Sequence, residues 1–506
     1  MRVKSEAQGL SWRKPGTSGK LHRPFVHLLM VFNFVAGLLI LCANLVSPQS
    51  LAEGLPDLGD ASESAFSLAQ EREIGEEIMR QIRTDPAFLD DPEITQYLND
   101  LGYKLAGDSR QSLTIFGVRD PTINAFALPG GFIGVHTGLI ASAQSESELA
   151  SVLSHEIAHV TQRHIARLIA SQKQSTITSL AALAVALLAS RSNSQISQAA
   201  VTTAQATAIQ SQLNFTREHE READRIGLQV LQQAGFDPRA MPAFFERLQR
   251  GTRVLETSTS APAYLRTHPL TFERIADVES RIQGLSYKQT VDSLDFHLLR
   301  AKLKANQETP REAIAWFEES VQQKKFAAEA GSRYGLIVAL MRQKNIARAE
   351  SEMTSLRRVA PANPIIENLA AQVKTAAGRK DEAVGIYRNA AAKFPEAKAL
   401  TYNYAEALLE ARSPETALKV VEDRIELYPN DARLYLLRAQ GYAAMNKRLL
   451  QHQSQAEAYL RLGSLPQAIE QLQIALRAGD GDFYELSQVE ARLKQLRALE
   501  AENKNK

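Results

Sequence analysis

Cysteine is almost missing from this chain of 506 residues: Cys42 stands alone, inside an apolar run near the N-terminus. If that run is removed, the mature chain has no thiol and therefore no structural disulfide, even in an oxidising compartment. Leu41 precedes Cys42 where a lipid-attachment cysteine wants a small residue, so no lipid anchor is read there. Net charge is nearly missing too, at +2. Six basic residues stand before Phe25 against Glu6 alone, so the remainder is mildly acidic. A chain with no cationic surplus has little to offer a phosphate backbone, and nucleic-acid binding is excluded as an expectation. Long hydrophobic runs are missing after Val46. The stretch from Ile177 to Leu188 falls short of the roughly 20 residues that a membrane span needs.

The basic lead, the apolar run from Phe25 to Val46 and the small residues of Ser50-Leu51-Ala52 together have the form of an export signal. Residues 1–52 are read as that signal, cleaved after Ala52. A retained anchor is the competing reading, since the run is long enough to span, but His27 and Asn33 weaken it. Export without an anchor places the chain in a bacterial periplasm, with peripheral membrane association left open.

Two kinds of patterning follow. From about Ser67 the sequence mixes helix and strand signals. Ser67 with Gln70 has the form of a capping box, and Asp91 and Gly107 bracket a second helix. LTIFGVRD reads as a strand, and NAFALPGGFIGVH as two strands around Pro129-Gly130-Gly131. A long helix begins at Ser145 or Ser147. Beyond about Lys304 only helical patterns remain, and they repeat. Ala349, Ala383 and Ala417 recur every 34 residues, as do Ala371, Ala405 and Ala439, and Pro361, Pro395 and Pro429. Small residues at close helix crossings with a proline ending each unit resemble the tetratricopeptide repeat. Ala468 breaks the register, which slips between Asn446 and Gln453. The expected domains are 53–290, a mixed α+β unit, and 291–500, an all-α solenoid whose concave face binds protein or peptide. A chain ending near Leu285 is expected to keep any metal, and the repeats from about Asp292 to fold alone.

The motif that carries chemistry is SHEIAHVTQRH. Residues four apart share a helix face, so His155 and His159 can present two imidazoles to one zinc ion, with Glu156 beside the open position. Catalytic zinc usually takes three protein ligands and a water. The third is sought in FTREHEREADRIG, a helix capped at Thr216 and ended by Gly235. It offers Glu218, Glu220, Glu222 and Asp224, and composition does not choose among them. His164, five residues past His159, points elsewhere, with a buried polar role as the alternative.

HExxH followed by ExEADxxG resembles the gluzincin peptidases related to the CAAX prenyl proteases and the HtpX heat-shock protease. The resemblance implies an α+β gluzincin-type metallopeptidase domain holding one Zn2+ per subunit on His155, His159 and Glu220. It implies Asp224 as a carboxylate supporting a ligand histidine, and Glu156 as the general base for peptide-bond hydrolysis. Glu218, His219 and Glu222 then read as solvated or locally paired. Arg217 is a candidate transition-state contact or a helix ion pair, and Asn124 and His136 are candidate substrate contacts on an edge strand beside the cleft. His268, directly before Pro269, reads as a helix-start contact or as a cap on the zinc in place of water. The Arg of FERI reads as scaffolding. The residues from 176 to 212 read as a lid, a membrane-surface contact or an ordinary helix and loop. Taken through the whole mature chain, the motifs resemble an exported bacterial branch of that family. It implies docking on the outer-membrane barrel-assembly machinery, degradation of misassembled barrel proteins, including the lipopolysaccharide-transport barrel, and a chaperone-like contribution to assembly. A scaffold acting through its repeats alone, with a structural zinc, is the alternative.

Overall fold

The computed structural model describes residues 66–107, 109, 111–171, 216–254, 263–285 and 290–505. The export segment with Cys42 and the whole of the lid candidate lie outside the described residues.

Helix α1, Leu68–Ile82, begins with the full capping box: Ser67 accepts from the Gln70 amide, and the Gln70 side chain accepts from the Ser67 amide. Helix α2, Pro92–Ala106, is capped by Asp91 and closed by Gly107. Four strands follow or flank it: β1 Phe88–Leu89, β2 Thr114–Val118, β3 Ala125–Leu128 and β4 Phe132–His136. Their order is β1-β2-β4-β3, with β2 and β4 parallel and the other two pairs antiparallel. The β3–β4 hairpin turns on Gly130 and Gly131, whose φ of 77° and 82° are left-handed values that glycine adopts without strain. Strand β3 is one edge of this sheet, β1 the other.

Helix α3, Thr137–Ser142, leads into α4, Glu146–Thr161. Ser145 is its cap, accepting from the Glu148 amide. Every residue from Glu146 to Val160 is buried, which is why α4 shows no polar face in sequence. It is covered by α2, β3 and two later helices, α6 (Arg217–Gln233) and α7 (Ala240–Val254). Between α4 and α6 lies the short α5, His164–Ser171. Gly227 lets α6 cross close to α4: a Cβ there would stand 3.1 Å from the His155 nitrogen and Cα. Helices α8, Ala263–Thr267, and α9, Phe272–Ile282, complete the unit.

From Leu294 the chain is helical to Asn505, in twelve helices, α10 to α21, stacked largely on their neighbours. The period-34 alanines are buried at those crossings. The register slip has a simple form. Ala417 lies in α17 (Pro414–Leu427) and Ala468 in α20 (Leu465–Leu476), separated by α18 (Ala432–Ala444) and α19 (Arg448–Arg461). An extra helix of half a repeat has been inserted, rather than a loop.

The two regions share one core. A single apolar cluster runs from Leu89 through the α4 residues to Val373 in the repeats. Lys302 on α10 (Leu294–Gln307) reaches across to Asp91 and, at 2.7 Å, to Glu93. Glu146, the first residue of α4, accepts from the Ser293 amide and hydroxyl at 2.8 and 2.6 Å.

Candidate metal centre

Helices α4 and α6 and the segment after α8 bring four side chains to one point. Ligand atoms of His155, His159, Glu220 and His268 all lie within 4.8 Å of one another, and all four residues are buried. His155 Nε2 stands 3.0 Å from His159 Nε2, 3.5 Å from Glu220 Oε2 and 3.4 Å from His268 Nδ1. Glu220 Oε1 is 3.4 Å from His159 Nε2 and 3.0 Å from His268 Nδ1. Four donors around zinc at about 2.0–2.1 Å in a tetrahedron are separated by about 3.3–3.4 Å. The five distances, which draw on both Glu220 oxygens, run from 3.0 to 3.5 Å and lie close to that edge, so the donor types and the size of the cluster suit zinc.

Charge supports the same fit. Glu156, Glu220 and Asp224 are buried carboxylates, and Arg274 is the buried guanidinium among them. With those three carboxylates ionised and the imidazoles neutral, two negative charges would be left over, which a divalent cation would neutralise. The side chains respond accordingly. Burial opposes a charge on His155, yet Asp224 and Glu220 lift it to about 10. Burial holds His159 well below its ordinary value. Burial also opposes charge on Glu220, but His268, His155 and His159 outweigh it and hold the carboxyl well below the usual range. Burial raises Glu156, with His268, His155 and the Ala127 amide of β3 drawing it part of the way back.

Asp224 stands where the support of a ligand was expected: its Oδ1 is 3.0 Å from His155 Nδ1. The Arg of FERI is more than scaffolding. Arg274 binds Asp224 through Nε and Nη2 at 2.7 and 2.8 Å, and its Nη1 is 2.7 Å from Glu220 Oε2. One guanidinium thus fixes both acidic residues of α6. Nothing in the local sequence distinguishes such an arginine from a surface one; only the crossing of α9 over α6 does so.

His268 Nδ1 faces the cluster, and its Nε2 lies 3.4 Å from Glu156 Oε1. Tyr264 stacks on its ring at 4.7 Å between centroids, and the His268 amide donates to the Tyr264 carbonyl. Sequence reasoning missed Tyr264, a fully buried residue in a segment that reads as irregular.

The remaining candidates lie apart from the four ligand positions. His136 ends β4, where its Nδ1 meets Thr122 at 3.1 Å and Asp120 at 3.6 Å, and burial lowers its pKa to about 4. Asn124 is buried just before β3, and its carbonyl accepts from the His136 amide. Arg217 is exposed at the start of α6. Glu222 is locally paired, as expected of it, with Arg167 at 2.9 Å and His164 at 3.2 Å. His164 itself does not point elsewhere. It is fully buried, with Nδ1 2.8 Å from His159 Nδ1, and burial lowers it to about 4.

Known proteins give this geometry a context. The model of peptidase family M48 matches residues 89–282, and that of the tetratricopeptide repeat matches 374–441. The Beta-barrel assembly-enhancing protease of Escherichia coli is 34% identical over 459 residues, covering 89% of this chain and 92% of that protein. The protein of the same name from Yersinia pestis is 32% identical over 454 residues, covering 88% and 92%. The Mitochondrial metalloendopeptidase OMA1 of Schizosaccharomyces pombe is 37% identical over 173 residues, covering 34% of this chain and 47% of the relative.

Proposed function

This chain belongs to the beta-barrel assembly-enhancing proteases, whose peptidase domain is of family M48, and from that premise we propose that it hydrolyses misassembled outer-membrane barrel proteins as a periplasmic zinc endopeptidase. The observation that carries the reading is the cluster of His155, His159, Glu220 and His268, whose spacings match the edges of a zinc tetrahedron. It is the one such cluster among the described residues, which supports one zinc per subunit. Bound zinc would supply Lewis acidity, lowering the pKa of a water and polarising the scissile carbonyl.

The chain supplies the rest. His155, His159 and Glu220 would hold the ion, with Asp224 against His155 and Arg274 against Glu220 and Asp224. Glu156 takes the proton of the attacking water on its carboxylate and passes it to the leaving amine. Its burial fits that task, because a raised pKa lets the carboxyl hold the proton between the two transfers. Strand β3 lies at an edge of the sheet among the described residues, where an extended peptide can bond to it through its main chain with little regard for side chains. The Ala127 amide on that strand also faces Glu156, so peptide and base meet at one element. Asn124 at the start of the strand is a candidate substrate contact, and Arg217 and His136 are weaker ones.

His268 gives the resting state. Its Nδ1 faces the other three donors and its Nε2 lies 3.4 Å from Glu156, so it would stand where a zinc-bound water would otherwise sit, close to the base that would activate that water. Cleavage then requires the segment after α8 to withdraw. The relatives' name speaks of barrel assembly; here the repeats would dock on the assembly machinery, with the lipopolysaccharide-transport barrel among the substrates and a chaperone-like contribution to folding. The domain limits of 53–290 and 291–500, and removal of the first 52 residues, belong to the same reading.

Four protein ligands also fit a structural zinc in a repeat-based scaffold. A buried Glu156 beside the ion weighs against it, because a structural site has no use for a desolvated base. Glu156→Gln separates the two readings. It is expected to keep one zinc per chain and to lose casein cleavage by at least a hundredfold. Cleavage at the wild-type rate would remove Glu156 from the mechanism.

A further inference from the structure

His164 is a fully buried histidine that the proposed mechanism does not use. On a continuous helix, a residue five past His159 would sit about 140° around the axis from it. The helix is not continuous. Helix α4 ends at Thr161, Arg163 takes a left-handed φ of 53°, and α5 begins at His164. That break turns the imidazole back onto a metal-ligand position.

The contacts form a chain with one consistent arrangement of protons. His159 presents Nε2 to the other ligands, so the lone pair lies there and the proton on Nδ1. That N–H meets His164 Nδ1 at 2.8 Å, which must therefore be the acceptor. The His164 proton is then on Nε2, 3.2 Å from Glu222 Oε2, and the same oxygen accepts from Arg167 Nη1 at 2.9 Å. The ring of His219 stacks on that of His164 at 4.5 Å and 16°, holding its plane.

Resting on the zinc reading above, we propose that His164 is a positioning residue for the metal. It links the Glu222 carboxylate to His159, fixes the tautomer that leaves Nε2 free for zinc, and sets the orientation of that ring. His159 is thereby served through an intervening imidazole, where Asp224 serves His155 directly at 3.0 Å. Partners of this kind strengthen a ligand nitrogen, and their loss typically weakens metal binding about 10- to 100-fold.

The test is zinc affinity of the full chain, measured by competition with a chromophoric chelator, together with the visible absorption of the cobalt-substituted protein. His164→Leu fills similar space and removes the acceptor. It is expected to weaken zinc binding about 10- to 100-fold and to shift the cobalt bands. His164→Asn places an amide oxygen near the former Nδ1 but loses the link to Glu222, and is expected to weaken zinc less than the leucine does, to about the extent of Glu222→Ala. Should the leucine variant fail to fold, Glu222→Ala breaks the next link from a half-buried position. It is expected to weaken zinc several-fold without changing the unfolding temperature in chelator. Wild-type affinity in His164→Leu or Glu222→Ala, or equal losses in His164→Leu and His164→Asn, would overturn the proposal. A wild-type chain that binds no zinc in the same titration would instead overturn the metal reading.

Discussion

Residue by residue, the centre is a contest between protons and a cation for the same nitrogens. His155 is lifted to about 10 by Asp224 and Glu220 against the pull of burial, so below that pH zinc binding there expels a proton. Zinc affinity should therefore tighten as pH rises from 6 to 8, by about tenfold per unit for each proton displaced. Isothermal titration in buffers of different ionisation enthalpy reads the proton release directly, and none released would contradict it. His268 is the fourth member of the cluster. If it caps the zinc, His268→Ala should raise basal casein cleavage several-fold with zinc content unchanged. A destabilised and less active variant would return His268 to a purely structural place, with Tyr264 as its packing partner.

At the scale of elements, the crossing of α4 and α6 does the work. Neither helix carries the centre alone: α4 brings His155 and His159, α6 brings Glu220, and Gly227 sets their separation. Gly227→Ala would place a methyl 3.1 Å from the His155 backbone nitrogen and Cα and force the helices apart. It should cost about 1–3 kcal/mol, as overpacked crossings do, and loosen zinc with it. Thermal unfolding with and without chelator separates the two effects, and an unchanged midpoint in both would show that the helices can yield. The motif ExEADxxG was legible as a helix with a ligand in it. The reason for its final glycine was not, because the Cβ contact is with another element.

The whole molecule is less divisible than two kinds of patterning suggest. Lys302 of the repeats neutralises Asp91 and Glu93 of the peptidase region, and Glu93 is buried. Lys302→Ala would leave that acidic pair uncompensated, with an expected loss of about 3 kcal/mol in a single unfolding transition. Two separate transitions, with only one shifted, would show that the regions fold independently. The continuous apolar cluster from Leu89 to Val373 predicts one transition. By the same reasoning a chain cut at Leu285 would expose the surface that α10 now covers. Glu146 adds a link from the repeats to the metal: it begins the helix that carries His155 and accepts from Ser293.

What the sequence determined by itself was everything set by local spacing. Imidazoles four apart, the caps at Ser67, Asp91 and Thr216, the Pro-Gly-Gly hairpin and the 34-residue alanine period all report on neighbours along the chain. The third ligand was chosen by resemblance rather than by spacing, since α6 offered four acidic residues. Tertiary structure decided the rest, and for one reason: each of those features depends on a partner brought in from far along the chain. Arg274 became the clamp on Glu220 and Asp224 only when α9 crossed α6. His164 turned toward His159 only because the chain breaks at Arg163 before meeting Glu222. The two regions became one body only when Lys302 and the shared core closed between them, a contact that no window of sequence contains.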